Sequence, residues 1–152
     1  MKKPKAIVIY YSRTGNTQKI AKVFARTLKC KFLNIKENPK INLDKYNLIF
    51  IGSGIYGMKI SAEIENFIQK LKNKDMNEKK YVVFGTYGGS KRGIKVMKEI
   101  LEHKNAKVIG QFGCKGHDDF WLFKIFNVNR GRPDKHDLFE AKEFAQFILK
   151  IF

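Results

Sequence analysis

An open α/β sheet of five parallel strands, with helices on both faces, is the fold this sequence predicts, and three observations carry it. The first is a near-continuous apolar run, Lys5-Ala6-Ile7-Val8-Ile9-Tyr10-Tyr11, of the kind found in a strand buried on both faces. The second is the helical spacing that follows, where Ile20, Val23, Phe24, Thr27 and Leu28 recur at i, i+3, i+4, i+7 and i+8. The third is that strand and helix then alternate to the end of the chain, the signature of a parallel α/β sheet. Taken in order, further strand patterns fall at residues 31–35, 47–51, 81–85 and 107–112, each followed by turn chemistry. Helical stripes lie between and after them: Ile64, Phe67, Ile68 and Leu71; then Ile94, Met97 and Leu101; then Leu138, Ala141, Ala145, Ile148 and Leu149. The last helix is expected to start at Asp137, with Glu140 in capping-box spacing, just after Pro133. With 152 residues, no repeat and no linker, residues 1–152 read as a single domain.

Between the first strand and the first helix stand Ser12, Arg13, Thr14, Gly15, Asn16 and Thr17. A helix beginning near Asn16 leaves its first amides without intrahelical partners and carries a positive dipole end, so a phosphate monoester placed there satisfies both. Gly15 admits close backbone approach, and the hydroxyls of Ser12, Thr14 and Thr17 with the amide of Asn16 can donate to phosphate oxygens without a lysine or a metal. The plainer reading is a turn rich in N-capping residues. A P-loop is excluded, since no Gly-x-x-x-x-Gly-Lys-Ser/Thr string occurs in the chain.

Tyr10-Tyr11-Ser12-Arg13-Thr14-Gly15-Asn16-Thr17 resembles the FMN-phosphate loop of the flavodoxins, whose pattern is Ser/Thr-x-Thr-Gly-Asn-Thr at the end of the first strand. Element order and length extend the resemblance over essentially the whole chain. It implies a flavodoxin-like strand order 2-1-3-4-5, and it assigns Ser12, Arg13, Thr14, Gly15, Asn16 and Thr17 to the FMN phosphate. In such a sheet ligands bind beyond the carboxyl ends of the strands, where the strand order reverses. The loops there are Gly52-Ser53-Gly54-Ile55-Tyr56-Gly57 and Gly85-Thr86-Tyr87-Gly88-Gly89-Ser90. By resemblance they flank the flavin ring, which places Ser53, Gly54, Ile55, Tyr56 and Gly57 on one side and Thr86, Tyr87, Gly88 and Gly89 on the other. Tyr56 stands where the family usually has a tryptophan. The resemblance also implies a peptide at Tyr56-Gly57 that reorients as the flavin gains an electron, so that electrons move singly. Read alone, both loops are equally tight turns with core tyrosines. Gly52, Gly54 and Gly57 also match Gly-x-Gly-x-x-Gly, but that fingerprint belongs after the first strand of its unit and wants an acidic residue after the next, where Gly85 and Thr86 stand.

Composition bounds the remainder. No apolar stretch is long enough to span a membrane, and a cytoplasmic protein is expected. Cys30 and Cys114 lie far apart, without metal-ligand or dithiol spacing; Cys30 reads as a small buried residue, Cys114 as a loop residue near the cofactor, reactive or packed. Of the three histidines only His117 falls near the proposed cofactor, and no residue is singled out as catalytic.

The formal charge of +17 departs from the acidic character of typical flavodoxins. Arg13, Lys59, Lys91, Arg92, Lys115, Lys124, Arg130, Arg132 and Lys135 fall at the active edge, against Asp118, Asp119 and Asp134. Such a rim favours the anionic reduced flavin and steers toward acidic redox partner proteins. Nucleic acid is set aside, because lysine is spread over every helix without an aromatic-basic strip. The segment 113–136, with Phe120, Trp121, Leu122, Phe123, Ile125 and Phe126, is too long for a routine connection. It reads as a lid, a docking surface or a packed insertion. Two functions follow: a soluble low-potential FMN electron carrier, or an FMN-dependent oxidoreductase acting on a small aromatic substrate such as a quinone or a protoporphyrinogen.

Overall fold

A computed structural model gives the fold and describes residues 2–117 and 129–152. Its strands are β1 (Ala6–Tyr11), β2 (Lys31–Asn34), β3 (Leu48–Tyr56), β4 (Lys59–Ile60), β5 (Lys80–Tyr87) and β6 (Lys107–Lys115). The helices are α1 (Asn16–Leu28), α2 (Ala62–Gln69), α3 (Asn73–Asn77), α4 (Arg92–His103) and α5 (Lys135–Ile151). Five strands pair in parallel in the spatial order β2-β1-β3-β5-β6, and β4 folds back antiparallel on the end of β3. The parallel strands, counted by themselves, therefore follow the implied 2-1-3-4-5. The sixth strand is an addition the sequence reading did not contain.

The unbroken apolar runs are explained by burial on both faces. Ile7 and Ile9 of β1, Ile49 and Ile51 of β3, and Tyr81 and Val83 of β5 pack with Ile64 and Ile68 of α2 and Met97 and Leu101 of α4. The alternate residues Val8, Phe50 and Phe84 pack with Phe24 of α1 and with Ala141, Ala145 and Ile148 of α5. Phe24 is the centre of that second face, its ring meeting Phe50 and Phe84 edge-on at centroid distances of 5.0 and 4.9 Å.

Several boundaries differ from the sequence reading. β3, β5 and β6 each run two or more residues past the expected ends, so Gly52 to Tyr56 and Gly85 to Tyr87 belong to strands. Gly52 sits in a central strand because a side chain there would collide with Phe84; a Cβ would lie 2.1 Å from the ring. α2 ends at Gln69, and Leu71 is buried just beyond it. The last helix is capped three residues before the expected position. Its N-cap is Asp134, whose carboxylate accepts from Asp137 N at 3.0 Å, while the Asp137 carboxylate accepts from Asp134 N at 2.8 Å. Asp137 thus answers the cap, and it also receives two hydrogen bonds from the Arg132 guanidinium, at 2.5 and 2.6 Å. Burial of Asp137 opposes its ionisation, but the bonds from Arg132 and Asp134 outweigh it and hold the carboxyl below its usual range. Arg132 is consequently a structural partner of α5.

Candidate functional site

The cleft opens at the carboxyl edge between β1 and β3, where the chain passes to β2 on one side and to β3 on the other. β1 ends at Tyr11, and Ser12 to Thr14 carry the chain across to Gly15, the N-cap of α1. Gly15 holds φ +90°, a left-handed conformation that glycine adopts without strain, and a side chain there would meet open space. No side chain caps this helix and its first turn carries no acidic residue, so the positive end of α1 faces the cleft unopposed. That distinguishes it from α2, where Ser61 Oγ accepts from Ile64 N, and from α5 with its two aspartates. The Ser12 hydroxyl accepts from Gly15 N at 2.9 Å, which tightens the loop and leaves its own proton to point elsewhere.

Two of the loop's side chains tie the cleft together. Thr17, 1% exposed, shares a 2.8 Å hydrogen bond between its hydroxyl and that of Thr86 at the end of β5. Asn16 donates through Nδ2 to the carbonyl of His117 at 2.8 Å, bringing in the segment after β6. Ser12, Arg13, Thr14, Asn16, Thr17, Gly54, Ile55, Tyr56, Thr86, Tyr87 and Gly88 of the sequence-derived set all line one cleft. Gly116 and His117 line it as well; the sequence reading had placed His117 near the cofactor and had given Gly116 no part in the site. A signal existed: Gly116 follows directly on β6, the position where the two preceding central strands also release their glycine-containing loops.

Ser53 is placed differently. It is fully buried, and its hydroxyl donates to Gly54 O at 2.7 Å and accepts from Ser61 N at 2.9 Å, joining β3 to the start of α2. Gly57 and Met58 form the two-residue turn between β3 and β4, with φ of +54° and +70°. Positive φ at both central positions is the hairpin geometry that matches strand twist, and Gly57 adopts it freely whereas Met58 does so at a cost. Gly89 has open space where a side chain would be, and the adjacent Gly88 carbonyl accepts from Asn129 Nδ2 at 2.7 Å.

The ring-side wall is closed in this conformation. The Arg13 guanidinium lies 4.5 Å from the centre of the Tyr56 ring, and the Tyr56 hydroxyl accepts from Arg13 N at 3.3 Å. Tyr56 is folded back over its own strand, so that a Cβ on Gly54 would fall 2.4 Å from its oxygen. Burial pushes the Tyr56 phenol upward in pKa, against the lowering pull of the Arg13 amide and guanidinium. The cleft accordingly encloses only about 30 Å³. A pocket for a ligand of flavin size needs roughly 300 Å³ or more. The donor set at the α1 terminus fits a phosphate dianion as it stands, and the space for an aromatic ring depends on where Tyr56 goes.

Cys114 lies in β6 beside Thr86 of β5 and is buried; burial, with the charge of Asp137 adding, pushes its thiol up to about 12. It is a packing residue, and the loop placement expected for it is corrected. Cys30 is half-buried after α1, its thiol raised to about 11 chiefly by burial. Among the described residues no cluster of His, Cys, Asp and Glu is arranged to hold a metal ion, and no helix is long and apolar enough to cross a membrane. Lys124, Asp118 and Asp119, with the aromatic run 120–126, lie outside the described residues.

This fold is that of the flavodoxins. The chain belongs to the flavodoxin family: the model of the Flavodoxin domain matches residues 7–118. An uncharacterized protein of Methanocaldococcus jannaschii is 37% identical over 152 residues, spanning 96% of this chain and 99% of its own. A flavodoxin of Clostridium beijerinckii is 28% identical over 114 residues, covering 70% of this chain and 77% of that one. Among solved structures, oxidised Flavodoxin 2 from Bacillus cereus superposes with a TM-score of 0.72 at 21% identity, covering 97% of this chain and 99% of the other.

Proposed function

We propose that this protein is an FMN-binding electron carrier, and the observation that carries the reading is the uncapped positive end of α1, lined by hydroxyls, at the switch point of the sheet. In this reading the FMN phosphate sits on the first amides of α1, with Ser12 and Thr14 donating from the loop. The bond between the Thr17 and Thr86 hydroxyls can run either way, and with Thr86 as its donor the Thr17 proton is free for a phosphate oxygen. Bound FMN supplies electron transfer in single steps. Tyr56 leaves the Arg13 side chain to admit the ring, while Tyr87, half-buried on the core beside Gly113, forms the opposite wall. Arg13, released from Tyr56, stays within the loop as a cation near the phosphate. The Tyr56-Gly57 peptide, at the entry to the Gly57–Met58 turn, is the place where a backbone carbonyl can reorient at small cost, because Gly57 tolerates both signs of φ.

Lys59, Lys91, Arg92 and Lys115 border this edge and are exposed, which supports docking of acidic redox partners with rates that fall as salt rises. A cytoplasmic setting accords with such partners. Reductive titration of the FMN-loaded protein tests the reading. Accumulation of one-electron-reduced flavin, seen as a long-wavelength absorption band, is expected. Direct two-electron reduction coupled to turnover of a quinone or a protoporphyrinogen would favour the oxidoreductase instead.

A further inference from the structure

Between β2 and β3 the chain runs from Ile35 to Asn47 without helix or strand, as a strap over the edge of the α2 face. It is fastened at both ends. Ile35 N donates to Tyr10 O at 2.9 Å, and the buried Lys79 sends its ammonium to the carbonyls of Leu43 and Tyr46, both at 2.9 Å. Between these anchors the strap stands off the domain, leaving a cavity of about 710 Å³ against α2 and α3, and another of about 470 Å³ on its β2 side. Lys40, Ile41, Asn42 and Asp44 of the strap border both. None of the residues lining the larger cavity belongs to the cleft at the carboxyl edge.

The larger cavity is apolar below and cationic above. Ile35, Leu43 and Leu71 form a buried floor, with Phe67 and Ile41 half-buried on the walls. Lys36, Lys40, Lys70 and Lys72 stand exposed at the rim. Three acidic residues also line it: Asp44 is held by Lys74 at 2.6 Å, the buried Asp75 accepts from Lys72 N at 3.2 Å, and Glu63 of α2 is half-buried on the wall, outnumbered by the lysines. Lysine side chains of this kind lay their methylenes on apolar surface and hold their charges at the mouth. The volume lies within the roughly 300–1,000 Å³ of small-molecule sites, and the concavity differs from the flatter faces that dock proteins. The floor is aliphatic with the single ring of Phe67, which suits an acyl chain better than a flat heterocycle.

We infer that this cavity is a binding site for an amphipathic anion, an acyl chain on the floor with its carboxylate or phosphate head among the rim lysines. The site is independent of the FMN reading, since it shares no residue with that cleft.

Titration of the full chain with dodecanoate below its micelle concentration, followed calorimetrically and by NMR shifts of Phe67 and Ile41, tests the inference. Saturable binding on the order of 0.1 mM is expected for a chain of this length. Dodecyl phosphate should bind comparably, and uncharged dodecanol about tenfold more weakly, as charge-assisted contacts are lost. The surface variant Lys36→Glu/Lys40→Glu/Lys72→Glu should weaken dodecanoate about tenfold or more, while its thermal unfolding and its FMN affinity stay unchanged. Absence of saturation, equal binding of dodecanol, an unaffected triple variant, shifts confined to Thr14 and Tyr87, or binding of anionic vesicles alone would each overturn it.

Discussion

The two ends of the carboxyl-edge cleft are built on different principles. At the α1 end the proposed anion site is backbone: a helix terminus without a side-chain cap, a left-handed Gly15 and a loop tightened by the Ser12 hydroxyl. At the ring end the space is governed by a side chain, since Tyr56 lies over Gly54 with Arg13 on its face. The contrast teaches that charge recognition can be set by main-chain geometry, which cannot easily collapse, whereas an aromatic slot lined by a side-chain ring can be closed by that ring. A ligand that needs both ends gains its phosphate contacts without rearrangement and meets its reorganisation cost at Tyr56.

The largest effect is expected where the preformed end is dismantled. Thr14→Ala with Thr17→Ala should weaken FMN binding by about 3–6 kcal/mol, two charge-assisted bonds at roughly 1.5–3 each, read by flavin fluorescence quenching. Next come the ring-side glycines, which separate packing from ligand approach. Gly52→Ala should destabilise the fold by about 3 kcal/mol in urea unfolding, because its Cβ meets Phe84, whereas Gly89→Ala should stay within about 0.5 kcal/mol.

Asp137→Asn, behind the cleft, should cost about 2–3 kcal/mol through the Arg132 pair and the helix cap. The folded pKa of Asp137 lies below the unfolded value near 3.8, so its stabilisation is present above that value and lost as pH falls through the folded one. The stability of Asp137→Asn should therefore decline less between about pH 6 and pH 2 than that of the parent.

The smallest effect is at the closed end. Tyr56→Ala removes both the obstruction and the ring's own contact, and FMN affinity should change by about 1 kcal/mol while association quickens, measured by stopped-flow fluorescence. A slower association would mean that Tyr56 helps to recruit the ring and does not block it.

The preformed end was legible in the sequence because it is local: six consecutive residues follow an apolar run, and helix-terminus physics acts over one turn. The ring end was legible only as a pair of glycine-tyrosine loops. Gly52-Ser53-Gly54 looks like a turn because glycine fits poorly in strands, yet it continues β3, since Gly52 makes room for the Phe84 ring and the Ser53 hydroxyl bonds the start of α2. That contact spans 32 residues of sequence and leaves no local trace. β4 was hidden for a related reason, since its hairpin turn places Met58 at positive φ, where pattern reading expects glycine or asparagine. The start of α5 was misplaced by one turn because Asp134 and Asp137 are both plausible caps; Pro133 immediately before Asp134 was the better guide. Where Tyr56 lies could not be read at all, because rotamer choice depends on the Arg13 side chain across the cleft.

The central claim is that the α1 terminus selects a phosphate, and comparison of FMN with riboflavin, which has the same ring and lacks the phosphate, tests it most directly. Parallel fluorescence titrations of flavin-free protein should show FMN binding at least about a thousandfold tighter, a loss of roughly 4 kcal/mol with the phosphate contacts. Equal affinity for the two flavins, or no binding of either, would contradict it.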